Sequence, residues 1–179
     1  MKMTKLHPAL TAIWFLATLA AAENGTPVLG DRHIEPAGGF SFAAPQGWQF
    51  KDFPGMKFQL AFGPAENDFP PNINVVDENF SGNLEAYEKA NEQSLPKFFK
   101  DFNILDRAEF KTTDGNLVMK LATANEQNGK KLRQLFFFLD GPPGKKLVTT
   151  CTTSAESGSK FDKLFEASVR SFKLEKTGK

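Results

Sequence analysis

Leu135-Phe136-Phe137-Phe138-Leu139 offers no polar position for either face of a strand to show to water. In an antiparallel sheet a half-exposed strand alternates apolar with polar residues, so an unbroken apolar run needs cover on both faces. The run therefore reads as a central strand with one layer above it and one below. Turn signals bracket it. Asp114-Gly115 and Asn128-Gly129 are two-residue hairpin signals, because both central residues of a type I′ turn take positive φ, and Gly141-Pro142-Pro143-Gly144 is a looser turn. The four strands of this meander fall at roughly 104–112, 117–126, 131–139 and 146–153.

Upstream, Phe40 and Phe42 alternate with Ser41 and Ala43, and Pro45-Gln46-Gly47 turns the chain into Trp48 and Phe50. Phe58, Leu60 and Phe62 alternate with Lys57, Gln59 and Ala61, and Ile73 and Val75 alternate with Asn72 and Asn74. Pro64 to Pro71 is a loop. A helix is expected from 84 to about 100, with Asn83 as N-cap, Leu84, Tyr87, Leu95 and Phe98 on one face, and a break near Leu95 imposed by Pro96. At the other end Phe161, Leu164, Phe165, Ser168, Val169 and Phe172 recur at helical spacing, capped by Ser157 or Ser159. The expected fold class is α+β: an antiparallel six- or seven-stranded sheet flanked by helices on both faces, an α/β/α sandwich.

The N-terminus carries an address. Lys2 and Lys5 precede the apolar stretch Ala9–Leu19, and Ala20-Ala21-Ala22 then meets Glu23, the layout of a signal peptide over residues 1–22. The stretch falls short of the roughly 20 residues that span a bilayer, so no stable membrane span is expected after cleavage. The alternative is a signal retained as an anchor. Residues 23–39 read as a flexible tether, 40–174 as a single domain and 175–179 as a disordered tail. The expected location is exported, periplasmic or secreted. Residues 1–22 contain Lys2, Lys5 and no acid, so their removal leaves 20 basic and 21 acidic residues. A net charge near −1 favours neither nucleic acid nor an anionic surface.

Several chemistries lack their residues. Beyond residue 22 there is one histidine, His33, in the expected tether, and one cysteine, Cys151, with no base beside it in sequence. That is too little for a nucleophile–imidazole pair or a zinc site, and no cofactor is expected. Asp140-Gly141-Pro142-Pro143-Gly144-Lys145-Lys146 has the wrong glycine spacing for a phosphate loop, and its prolines remove donors. Glu66-Asn67-Asp68 and Asp77-Glu78-Asn79 are oxygen-rich but lack the acidic alternation and central glycine of a calcium loop; Asp77 and Glu78 stand as weak cation candidates. Asn24-Gly25-Thr26 and Asn79-Phe80-Ser81 match glycosylation acceptors.

Phe42-Ala43-Ala44-Pro45-Gln46-Gly47-Trp48, then Ile73-Asn74-Val75, Leu84-Glu85-Ala86-Tyr87 opening a helix, and a closing Ser171-Phe172 occur in that order. This pattern resembles the PsbP/DcrB-like family of α/β/α sandwiches, which includes exported bacterial proteins and a lumenal accessory subunit of photosystem II. The resemblance implies a non-catalytic accessory or binding protein at an exported location. Photosynthetic members are associated with histidine and acidic residues near cations, and this chain has no histidine between 40 and 174.

Three functions follow as expectations. The first is a module that binds an envelope or extracellular protein through exposed rings, with Phe53, Phe69, Phe80 and Phe102 as candidates. The second is a carrier of a small apolar ligand between sheet and helix, lined by Phe136 and Phe138. The third is a carboxylate-dependent hydrolase using Asp77 or Glu78. Oligomeric state is left open.

Overall fold

The computed structural model describes residues 26–66 and 68–175; the expected signal peptide, Asn24 and Gly25 of one glycosylation motif, Asn67 and residues 176–179 lie outside them. The elements are β1 (Leu29–Glu35), β2 (Phe40–Pro45), β3 (Gln49–Lys51), β4 (Leu60–Phe62), β5 (Asn72–Asn79), α1 (Leu84–Ser94), β6 (Lys100–Lys111), β7 (Leu117–Gln127), β8 (Lys130–Asp140), β9 (Lys145–Ser154), α2 (Asp162–Arg170) and β10 (Lys173–Leu174). They form a seven-stranded antiparallel sheet ordered β3-β4-β5-β9-β8-β7-β6 and a three-stranded sheet ordered β1-β2-β10.

The apolar run lies in β8, between β7 and β9, with Leu135 opposite both Ala122 and Cys151. Because strand side chains alternate, its residues divide between two cores. Leu135, Phe137 and Leu139 join Ile73, Val75, Val118 and Leu147, together with Phe40 and Phe42 of β2 and Phe165 and Val169 of α2. Phe136 and Phe138 join Leu121, Val148 and Leu95, together with Leu84 and Tyr87 of α1. Phe137 and Phe138 have no accessible surface although they are sequence neighbours. Two ion pairs hold α2 against the first side: Arg133 donates to both carboxylate oxygens of Asp162, at 3.0 and 2.6 Å, and Lys120 reaches Glu166 at 3.0 Å.

Several expectations change. Phe40 and Phe42 lie in the small sheet rather than the large one, and the Phe172 ring stacks on both, at 5.6 and 4.7 Å. Their pairing partner comes from the stretch expected to be a tether. Residues 29–35 form β1, held by Arg32, which donates to Ser41 Oγ at 3.0 Å and to the Ser171 carbonyl at 2.9 Å. Glu175, expected in a disordered tail, accepts from Ser41 and donates its backbone N–H to Gly39 at 2.9 Å.

Asn83 caps α1, its side-chain oxygen accepting from the Ala86 N–H at 2.8 Å. Neither serine caps α2: the residue before that helix is Phe161, and Ser157 instead donates to Glu66. Asn128 and Gly129 both take positive φ, as a type I′ turn requires. Asp114 does not. Gly115 alone is left-handed there, and Thr112 N–H bonds to Asn116 O, so a longer loop joins β6 to β7. Gly63 is required by space, since a Cβ there would sit 2.6 Å from the Trp48 ring.

Candidate functional site

Two surface features lie at one end of the large sheet. The first begins with Pro96. It has no N–H to continue α1, so the helix closes in a single 3-10 turn at Leu95–Lys97. That turn keeps Leu95 buried and throws Phe98 outward. Phe98 is 77% exposed rather than on a buried helical face as expected. Phe99 and Phe102 are half-buried with their rings stacked 6.1 Å apart, and Phe99 lies 6.2 Å from Phe136 of the core. Leu105, 51% exposed, sits at an irregularity where β6 shifts register against β7 between Ile104 and Asp106. Since β6 is an edge strand, these rings border open backbone; register shifts and charged residues such as Asp106, Arg107 and Glu109 keep that edge from templating further strands.

The second feature is an open cleft of about 370 Å³ lined by Phe69, Asn72, Asn74, Gln127, Asn128, Lys130, Leu132, Gln134 and Thr152. Register aligns Asn72 with Thr152, Thr152 with Gln134 and Gln134 with Thr123, so these side chains share the sheet face of Phe136 and Phe138. Gln134 is the hub. Its Oε1 accepts from Asn125 at 2.7 Å and Gln127 at 3.0 Å, and its Nε2 donates to Thr152 at 3.1 Å. Phe69 forms one wall. Its loop is closed by paired backbone bonds between Glu66 and Phe69, both 3.0 Å, and tied down by Ser157 and Lys160, which donate to the Glu66 carboxylate. The Lys160 hydrogen bond holds the Glu66 carboxyl below its usual pKa against the opposing effect of burial.

The four candidate rings do not converge. Phe69 lines the cleft and Phe102 belongs to the exposed aromatic edge. Phe80 sits at the far end of β5, 4.9 Å from the Tyr87 ring, and Phe53 is 52% exposed and 6.4 Å from Phe62. Phe136 and Phe138 are core residues, with Phe138 packed edge-on to Tyr87 at 6.0 Å.

Asp77 and Glu78 point to opposite faces, as successive strand residues must, and so hold no ion between them. Asp77 accepts from Lys57 at 2.8 Å and Lys145 at 2.6 Å. Burial alone would raise its pKa, but the two lysines outweigh burial and hold it down. Glu78 accepts from the Tyr87 hydroxyl at 2.6 Å. Burial, then that bond to a carboxylate, pushes the Tyr87 phenol far above its usual range. Among the described residues no three His, Cys, Asp or Glu side chains group for a metal ion. His33 is not a linker residue: its ring stacks on Phe50 at 4.0 Å, with Nε2 3.9 Å from Glu35. Cys151 is fully buried, and burial raises its thiol pKa well above the ordinary value, which makes it a core residue rather than a nucleophile.

No protein-family model matches the chain, and no curated protein matches it by sequence. Solved structures do. A protein of unknown function from Pseudomonas aeruginosa, PA94, aligns with TM-score 0.57 and 15% identity over 82% of this chain and 95% of its own. Cyanobacterial PsbP (CyanoP) from Synechocystis sp. PCC 6803 aligns with TM-score 0.56 and 17% identity over 84% and 95%. The fold is PsbP/DcrB-like. LpqN, involved in cell envelope biogenesis of Mycobacterium tuberculosis, shares it with TM-score 0.56 and 13% identity over 82% of this chain and 86% of that one. At these identities the likeness is one of fold, and fold alone does not carry function. Among the described residues of this chain no helix is long and apolar enough to cross a membrane.

The cleft amides and Phe98 were the residues sequence reading passed over. A signal for the cleft existed: amides or hydroxyls at one parity on four strands that become neighbours only in the sheet.

Proposed function

We propose that this chain is an exported, non-catalytic accessory module, with α1 and α2 covering opposite faces of the large sheet, that binds an envelope or extracellular protein through its exposed aromatic edge. The carrying observation is Phe98, 77% exposed and next in the chain to half-buried Phe99, whose ring stacks on Phe102, with Leu105, 51% exposed, further along the same edge strand. A large ring left in water beside others is the composition of an interface core rather than of an ordinary surface. Lys97 and Lys100 flank it, and Lys100 is engaged with Glu126 at 2.7 Å, so the apolar centre has a charged rim.

Crosslinking in the host, followed by mass spectrometry of what co-purifies, tests the reading. The wild-type protein should capture one near-stoichiometric partner. Phe98→Ala with Leu105→Ala should lose it while the melting temperature stays within about 2 °C, because exposed side chains contribute little to folding. Undiminished capture by the double variant would sink the assignment of this surface.

A further inference from the structure

We propose that the amide-lined cleft, separate from the aromatic edge, is a binding site for a neutral saccharide. Size permits it: about 370 Å³ falls in the range of roughly 300–1,000 Å³ typical of small-ligand sites. The lining chemistry then selects. Asn74 and Asn128 each present an amide donor and acceptor in one plane; Asn72 and Gln127, whose N–H groups are bonded to Pro70 O and to Asn125 and Gln134, add their carbonyl oxygens, and Thr152, which accepts from Gln134, adds its hydroxyl proton. Neighbouring hydroxyls of a sugar ring present the same donor and acceptor pair in return. Phe69 supplies an apolar wall of the kind that packs against the C–H face of a pyranose.

Charge argues against a cationic ligand and gives an anionic one a single lysine. No carboxylate lines the cleft, so a cationic ligand has no counter-charge. Its one cation, Lys130, lies 5.8 Å from the centre of the Phe69 ring, and the guanidinium groups that commonly clamp an anion are absent from the lining. Part of the site is also arranged by its own hydrogen bonds before any ligand arrives. Gln134 is held by three side chains, and the Phe69 loop is fastened through Glu66 to Ser157 and Lys160. Less ordering is left there for binding to perform, which favours affinity from few contacts.

The test is a side-chain amide NMR titration of the protein with chitotetraose, cellotetraose and maltotetraose, each to about 10 mM, a range that detects even millimolar affinity. At least one sugar should shift the Asn74, Gln127 and Asn128 side-chain signals saturably, with the backbone amide signals of Phe98 and Lys100 in the same spectra unmoved. Asn74→Ala and Phe69→Ala should each weaken that binding by about tenfold or more, with an unchanged far-UV spectrum showing that each variant is folded. Absence of saturable shifts with all three sugars would overturn the proposal, as would shifts unaffected by both substitutions. Neither result touches partner capture through Phe98, which is read on a different surface.

Discussion

Phe137 and Phe138 are joined by a peptide bond yet belong to different cores, and their substitutions should behave as if the residues were far apart. Replacing either ring by leucine removes roughly 30 Å² of buried apolar surface, ~0.8 kcal/mol at ~25 cal/mol per Å². It also leaves a void of about 25 Å³, a further ~0.6 kcal/mol at ~24 cal/mol per Å³. Each single variant should therefore lose ~1.4 kcal/mol, and the double variant ~2.8 kcal/mol, with a coupling energy below about 0.5 kcal/mol. The contrasting pair is Phe136 and Phe138, two residues apart but packed in one core with Leu84 and Tyr87. When both are shortened, α1 can settle into the shared space, so that pair should couple by about 0.5–1.5 kcal/mol. Urea denaturation of the two double-mutant cycles, followed by far-UV circular dichroism, measures both. Equal coupling in the two cycles would refute the division of β8 between separate cores.

Two titrations follow from the paired groups. Tyr87 is the only tyrosine of the chain, so its ionisation can be followed by ultraviolet absorbance without ambiguity. Its phenol should stay protonated through pH 10 in the folded protein, and because the unfolded chain releases that proton there, stability should fall as pH rises above about 10; Tyr87→Phe should remove that share of the decline, and half-ionisation at pH 10 in the native state would contradict the buried Tyr87–Glu78 bond. Asp77, with its pKa held down, contributes stability that is present above its unfolded value near 3.8 and lost as pH falls through the lower folded value. Chemical denaturation between pH 2 and pH 7, about the span over which carboxylates titrate, should show a shallower acid loss in Asp77→Asn than in wild type, and superimposable slopes would remove the two lysines from the account.

What was legible beforehand follows from what the patterns encode. The run 135–139 announces cover on both faces because nothing in it can tolerate water, and both cores are there. Asn83 announces a helix start through a local bond that needs no tertiary partner. Leu29-Gly30-Asp31-Arg32-His33-Ile34-Glu35 announces nothing, because β1 is secured by pairing to β2 and by the long reach of Arg32 to Ser171 rather than by an apolar face of its own. Asp114-Gly115 misleads for the opposite reason: the dipeptide suits a two-residue turn, but Thr112 and Asn116 pair with each other and lengthen the loop. The cleft is hidden in sequence since Asn72 and Asn74, read along their own strand, look like an ordinary solvent face. Only the alignment of β5, β9, β8 and β7 shows that such residues adjoin.

Element lengths explain why that cleft lies open. The 11 residues of α1 make a helix of about 16 Å, whereas the 11 residues of β8 run for about 36 Å. The helix can shelter only part of the strand it packs on, and the even-numbered side chains of β8 largely respect that limit, with Phe138 and Phe136 under the helix and Gln134, Lys130 and the single apolar Leu132 beyond it. A polar end on this face is thus required by geometry. Its near-absence of charge, with Lys130 the one charged residue in the lining, is not, because lysine and glutamate throughout would meet the same demand and keep the protein soluble. Five amides and a threonine gathered there, several of them bonded to one another, satisfy a stricter requirement than exposure to water. That surplus of order over what folding needs is the reason to seek a ligand at Gln134 before seeking one anywhere else on this sheet.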